Sequence, residues 1–389
     1  MGSEPLTLRN QAAERRLQKE KYGKIMKKSR LKSFALLVFT TVVLLGCGEK
    51  DNTTSTVADK AETFQWKLVT SWPKNFPGLG MAPEKFAQYV DEMSGGRLTV
   101  KVYGAGELVP GFEVFDAVSQ GTVQMGHSGA YYWKGKMPAA PIFSAIPFGM
   151  TATEFNAWLH YGGGLALWQE LYQPFGVVPM AGGNSGAQFA GWFKKEINSI
   201  EDLKGLKMRI PGLGGEVLKR AGAIPVTLTG GEIFSSLQSG AIDASEWVGP
   251  YNDLAFGFHQ VAEYYYSSVW HETGTTLEFL VNEKALNALP KDLQKIVEIA
   301  ARAVNEDTLD EYNARNNNAL KDLVKKHQVK LRQFPPEVMQ ALKGYTEEVI
   351  SEQAENDENF AKVWSSYSES LQTMREYNDL TLKEYYQNR

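Results

Sequence analysis

Two carboxylates stand in stretches that are otherwise apolar and aromatic. Glu246 lies in Gly240-Ala241-Ile242-Asp243-Ala244-Ser245-Glu246-Trp247, and Glu272 lies in Trp270-His271-Glu272-Thr273-Gly274, just after Tyr264-Tyr265-Tyr266. Burying an ionised carboxylate without a partner is very costly. Each glutamate therefore points to solvent, pairs with a nearby lysine, or shares a hard cation held by carboxylate and backbone carbonyl oxygens. Arg209 closes the apolar run Leu206-Lys207-Met208-Arg209-Ile210-Pro211-Gly212, and in open α/β sheets ligands bind beyond the carboxyl ends of strands. Its planar fork suits a carboxylate held by two parallel hydrogen bonds; a surface ion pair is the alternative. Gln188 sits in the small-residue stretch Gly182-Gly183-Asn184-Ser185-Gly186-Ala187-Gln188, where a ligand can approach the backbone. Its amide either bonds a keto or hydroxyl oxygen or only ties two strands together.

The inventory for catalysis is thin. The chain has five histidines (127, 160, 259, 271 and 327) and a single cysteine, Cys47. Gly126-His127-Ser128-Gly129-Ala130 misses the G-x-S-x-G nucleophile elbow by one residue, and Tyr131-Tyr132-Trp133-Lys134-Gly135 stands where the elbow's helix would begin. No H-E-x-x-H, C-x-x-C or Walker A pattern occurs. A periplasmic, hydrolase-like enzyme acting on small carboxylates through His127 and Ser128 is the competing expectation to a non-catalytic binding protein.

The 389 residues are 43% hydrophobic and 22% charged, which allows a sizeable core and two domains. The charge-free run Phe34 to Leu45 is shorter than the roughly 20 residues of a spanning helix. Lys27, Lys28, Arg30 and Lys32 precede it, so it reads as the h-region of a signal peptide. Met26-Lys27-Lys28 offers a second start besides Met1. The run ends at Leu44-Leu45-Gly46-Cys47, which resembles a bacterial lipobox: residues 1–46 are expected to be removed and Cys47 acylated, with an uncleaved anchor helix as the alternative. Residues 1–46 hold ten of the 41 Lys/Arg and three of the 45 Asp/Glu, so the mature chain carries 31 against 42, a net charge of −11. Such a balance argues against nucleic acid as a partner, and leaves attraction of an anion to local charges.

Several elements must position these residues. Residues 47–63 are small and polar, a flexible tether. Trp66 to Thr70 alternates like a strand and stops at Pro73. Phe86, Tyr89, Val90 and Met93 have helical spacing before Gly95-Gly96, and Leu98 to Tyr103 is a second strand. Glu113 to Gln120 and Val123 to Met125 continue the alternation, so residues 64–185 read mainly as a first α/β lobe with a largely parallel sheet. Residues 186–282 repeat the plan as a second lobe, with strands at Gln188 to Phe193 and Leu206 to Ile210 and a helix at Gly214 to Ala221. Residues 283–389 are helical and charged. Their last stretch sets Phe360, Val363, Trp364, Tyr367, Leu371, Met374 and Tyr377 on one stripe, which packs on its own lobe or on a second subunit.

From Trp66 to the C-terminus the chain resembles the extracytoplasmic solute-binding proteins of TRAP (tripartite ATP-independent periplasmic) transporters, in the branch that binds 2-oxo acids such as pyruvate. The likeness rests on Trp66-Lys67-Leu68-Val69-Thr70-Ser71-Trp72-Pro73, Gly191-Trp192-Phe193-Lys194-Lys195-Glu196-Ile197, the Arg209 strand, the Gly240 to Trp247 segment and Thr276-Leu277-Glu278-Phe279. It implies an α/β, type II-like fold of two lobes that close on a hinge around a cleft, with a long helical C-terminal region. It further implies that Arg209 clamps the ligand's carboxylate and that Gln188 bonds the ligand. Glu246, the backbone carbonyl of Trp247 and Glu272 would hold a sodium or calcium ion that chelates the carboxylate and 2-oxo oxygens. Trp72, Phe112, Tyr131 and Tyr132 would cover the non-polar end. Membrane subunits of the transporter are the implied partners, and C-terminal helices exchanged in a homodimer are a further implication. The lipobox at Cys47 departs from relatives that are free in the periplasm, and implies a lipid-anchored protein on the extracytoplasmic face of a bacterial membrane.

Overall fold

The computed structural model describes residues 62–389; the signal segment, the lipobox and Cys47 lie outside the described residues. No described helix is long and apolar enough to cross a membrane.

The first sheet begins as the alternation predicts: β1 (Phe64–Thr70), the helix Ala82–Ser94, β2 (Leu98–Tyr103), the helix Val114–Ser119 and β3 (Met125–Ser128), followed later by β4 (Val177–Asn184). The helix Ala82–Ser94 buries Phe86 and Val90 against the sheet and stops where Gly95 turns left-handed at φ 62°. Met93, expected on the same face, is exposed. The second sheet is built from β5 (Gly191–Phe193), β6 (Lys207–Arg209), β7 (Ile224–Val226), β8 (Ala244–Ser245) and β9 (Tyr264–Tyr266). The strand expected at Gln188 to Phe193 is confined to its last three residues, so Gln188 stands in the approach to β5. Gly191 is required there: its φ is 114°, and a Cβ would lie 2.4 Å from the Ser245 backbone oxygen.

The chain then goes back. β10 (Thr276–Asn282) inserts into the first sheet, giving the order β2-β1-β3-β10-β4, while β11 (Lys330–Arg332) joins the edge of the second, β11-β9-β5-β8-β6-β7. Because β10 arrives from the opposite lobe it runs antiparallel to both β3 and β4, so the first sheet is mixed rather than largely parallel, and residues 276–282 belong to it rather than to the segment 186–275. The two crossings are bonded to one another: Ser185 N donates to Thr275 O at 3.0 Å, Gln188 N to Glu272 O at 3.0 Å, and Asn184 Nδ2 to Gly274 O at 3.2 Å.

The helix Lys291–Lys325 joins the same two halves from outside. Its 35 residues span about 52 Å. Leu293, Val297 and Val304 share a core with Phe86 and Phe279, whereas Tyr312 and Leu323 share another with Trp192, Ile233 and Trp247. The helices Pro336–Asn356 and Glu358–Leu380 follow. Phe360, Val363, Tyr367 and Leu371 are buried within the chain itself, beside Trp158 and Trp168, and Met150 N donates to the Tyr367 hydroxyl at 2.7 Å. Beyond that point the stripe is uncovered: Tyr377, Leu380, Leu382, Tyr385 and Tyr386 are exposed.

Candidate functional site

Register brings the first residues together. β6 pairs parallel with β8, setting Arg209 beside Ser245, and Glu246 N then donates to Arg209 O at 3.2 Å. The Arg209 side chain is 1% exposed, and nearly every donor of its fork is used. Nε donates to Leu228 O at 3.1 Å, Nη2 to the Tyr132 hydroxyl at 3.1 Å, and Nη1 to the Glu246 carboxylate and to Glu246 O. The Trp247 ring lies 5.0 Å from the guanidinium. Tyr132 comes from the turn Ala130–Trp133 that follows β3, so the arginine is held from both lobes. Trp72, Phe112 and Tyr131 cluster on Tyr132, at ring separations of 6.1, 4.8 and 4.6 Å.

Glu246 starts a tight turn whose backbone is fixed by buried Asp253. Asp253 Oδ1 accepts from Val248 N and Gly249 N, and Oδ2 from Trp192 Nε1 and the Tyr265 hydroxyl at 2.7 Å. Glu272 and Gln188 sit on the paired crossings. The Thr275 hydroxyl donates to Glu272 Oε2 at 2.6 Å, and Gln188 Nε2 donates to Ser185 Oγ at 2.8 Å. Burial pushes the Glu246 carboxyl up to about 7 even with Arg209 alongside, and does the same to Glu272, where the neighbouring Glu246 adds to the effect. Burial lowers His271 to about 4. His271 is a member of this cluster that the sequence reading did not single out, although it stands next to Glu272: its Nε2 lies 3.5 Å from Glu246 Oε2. Asp253 was also missed, since nothing in its local sequence marks it.

Whether these residues fit a cation can be judged from their unused atoms. Glu246 Oε2, Gln188 Oε1 and both ring nitrogens of His271 are buried without a hydrogen-bond partner. Ligand atoms from Glu246, His271 and Glu272 lie within 4.8 Å of one another. Buried polar atoms are normally paired, and two closely spaced carboxylates with further unpaired donors form a set that suits a hard cation. The group fits.

The enzymatic alternative has no such geometry. Successive residues of β3 point to opposite faces. His127 therefore accepts from Trp72 Nε1 at 2.9 Å through Nδ1 and donates from Nε2 to Gly182 O at 2.9 Å, while Ser128 Oγ bonds Ser71 Oγ at 2.6 Å. Both imidazole nitrogens are committed to the fold, both residues are fully buried, and burial lowers His127 to about 4.

Two α/β lobes meeting over a buried arginine and a carboxylate cluster define a solute-binding protein. Residues 68–357 match the family of bacterial extracellular solute-binding proteins, family 7. The monocarboxylate 2-oxoacid-binding periplasmic protein of Nostoc sp. is 41% identical over 363 residues, covering 92% of this chain and 99% of that one. Two crystal structures of TRAP periplasmic solute-binding proteins superpose with a TM-score of 0.82, each over 84% of this chain and 100% of the other. One, from Pseudoalteromonas atlantica, is 42% identical and holds sodium and pyruvate; the other, from Colwellia psychrerythraea, is 44% identical and holds calcium and pyruvate. The chain belongs to this family: it is a periplasmic solute-binding protein of TRAP transport and not an enzyme.

Proposed function

We propose that the chain captures a small 2-oxo monocarboxylate, pyruvate or a close 2-hydroxy analogue, between its lobes and delivers it to the membrane subunits of a TRAP transporter. The observation that carries this is the burial of Arg209 against Glu246 and Glu272 where the lobes meet. Arg209 is the one strong anion receptor in that cluster, and its partner there is the carboxylate of Glu246. A ligand carboxylate takes the place on Nη1 that the Glu246 carboxylate holds, which releases Glu246 towards the cation. Sodium or calcium would be held by Glu246, the Trp247 carbonyl and Glu272. When bound, it supplies positive charge that neutralises the two glutamates and attracts the ligand's carboxylate and 2-oxo oxygens. Gln188 bonds the ligand from the segment whose backbone is tied to that of Glu272, so ligand contact and lobe closure involve the same two crossings. Exclusion of water on closure strengthens both charged contacts.

Calorimetric titration with pyruvate, 2-oxobutyrate, lactate and succinate, with and without a chelator in sodium-free buffer, tests the proposal. Pyruvate should bind and succinate should not, and removing the cation should weaken pyruvate at least tenfold. Pyruvate binding indifferent to every cation would overturn the chelate; no binding of any of the four would overturn the ligand class.

The same reading anchors the mature chain by acylation of Cys47, supported by the Leu44-Leu45-Gly46-Cys47 pattern, which mass analysis of the mature N-terminus tests. It also pairs two copies through the exposed Tyr377, Leu380, Leu382, Tyr385 and Tyr386. Sedimentation at micromolar concentration distinguishes dimer from monomer.

A further inference from the structure

We propose that Glu278, in the core of the first lobe, is a positioning residue for Arg209: through Trp133 it fixes the turn Ala130–Trp133, whose Tyr132 hydroxyl orients the guanidinium for the ligand's carboxylate. The inference rests on the ligand reading above and adds a residue that this reading does not use.

A carboxylate is out of place where Glu278 stands. It is fully buried on β10, opposite Ser128 of β3. By strand alternation it shares a face with Leu280, whose core includes Phe115, Trp133 and Tyr172. Burying an acid there is costly, and an apolar side chain of similar size packs without that cost, so packing alone does not call for it. Both oxygens are used: Oε1 accepts from Trp133 Nε1, and Oε2 from the Tyr172 hydroxyl at 2.9 Å. Trp133 ends a short turn whose other residues reach the opposite lobe. Tyr131 packs on Gly212 so closely that a Cβ on that glycine would lie 3.0 Å from the Tyr131 Cβ. The Tyr132 hydroxyl accepts from Arg209 Nη2 at 3.1 Å, and the Lys134 ammonium pairs with Glu216 on the helix Gly212–Arg220. A single 3-10 turn has few bonds of its own, so the anchor of Trp133 on Glu278 sets where the Tyr132 hydroxyl stands. Hydrogen bonds weaken steeply with angle. Once a ligand takes the place of the Glu246 carboxylate on Nη1, the bonds to Tyr132 and to Leu228 O keep the plane of the fork.

Two substitutions separate the anchor from mere burial: Glu278→Met removes both acceptors at similar size, whereas Glu278→Gln keeps one for Trp133. Calorimetry with pyruvate at saturating calcium should show the mature chain weakened about tenfold or more by Glu278→Met and less than about threefold by Glu278→Gln. In a Tyr132→Phe background the link to Arg209 is already cut, so Glu278→Met should cost less than about a further twofold, since residues in one network are not additive. Equal losses in the two backgrounds, a loss in Glu278→Gln equal to that in Glu278→Met, or no loss in Glu278→Met would each overturn the positioning role. Where Glu278→Met folds poorly, Trp133→Phe removes the donor instead and carries the same expectations in both backgrounds. No pyruvate binding by the parent overturns the ligand reading alone. The anchor is then read without ligand, by amide hydrogen exchange over residues 129–137. Exchange there should quicken about tenfold or more in Glu278→Met and keep the parental rate in Glu278→Gln; parental rates in both overturn the anchor.

Discussion

Replacing Arg209 with Met keeps an unbranched stem and removes the guanidinium with its charge and its donors. In the fold this deletes the bonds to Leu228 O and the Tyr132 hydroxyl and strips Glu246 of its counter-charge. Both members of the pair are 1% exposed, so the loss is that of a broken buried ion pair, about 3–5 kcal/mol. Part is recovered by protonation of Glu246, whose carboxyl burial already holds near 7, and the deficit should therefore be smaller at pH 6 than at pH 8. A further consequence concerns the ion. Arg209 and the cation compete for Glu246, so calcium alone should stabilise Arg209→Met more than the parent. Pyruvate at saturating calcium should nonetheless bind about 30-fold more weakly, the equivalent of about 2 kcal/mol for a charged hydrogen-bond donor lost. Urea denaturation followed by circular dichroism gives the stability, and calorimetry the affinities. A stability cost below about 1 kcal/mol, or pyruvate affinity unchanged at saturating calcium, refutes the role assigned to Arg209.

Glu278 is fully buried, accepts from Trp133 Nε1 and the Tyr172 hydroxyl, and is pushed by burial from 4.5 up to about 8. The folded chain thus keeps a proton that the unfolded chain releases near pH 4.5, and stability falls as pH rises from there to about 8; melting curves should show a shallower pH slope for Glu278→Gln. Gly191→Ala forces a Cβ onto the Ser245 and Glu246 backbone at a φ of 114°, and should cost about 2 kcal/mol or more in denaturation with a parallel loss of ligand affinity. Ser128→Ala removes the bond to Ser71 at about 1 kcal/mol, yet leaves pyruvate affinity within twofold and the ligand chemically unchanged on recovery; turnover abolished by this variant would revive the enzymatic reading. Asp253→Asn sets an amide N–H against backbone or side-chain donors at the turn after Glu246, and calcium titration should show weakened binding alongside a stability loss of about 1–3 kcal/mol.

Much of this was legible along the chain. Apolar alternation marked β1 and β2, and the 3.6-residue stripe marked Phe86, Val90 and the core positions Phe360 to Leu371. Glu246 and Glu272 stood out because charge in an aromatic stretch demands a partner, and Arg209 because it ends an apolar strand. Those signals are local: hydration and hydrogen bonding constrain each residue against its immediate neighbours, and the pattern survives in one dimension. What covers a buried face, and which distant group answers a buried charge, is set by strand order. Only the return of β10 between β3 and β4 made the first sheet mixed, and only the β6–β8 register set Arg209 against Glu246. The tertiary structure likewise chose Tyr132 as the contact from the other lobe, gave Asp253 its four donors, covered the Phe360 to Leu371 stripe within the chain, and turned His271 towards Glu246. Periodicity states that a side chain is buried; its partner depends on segments far away in sequence that loop closure and sheet pairing bring together.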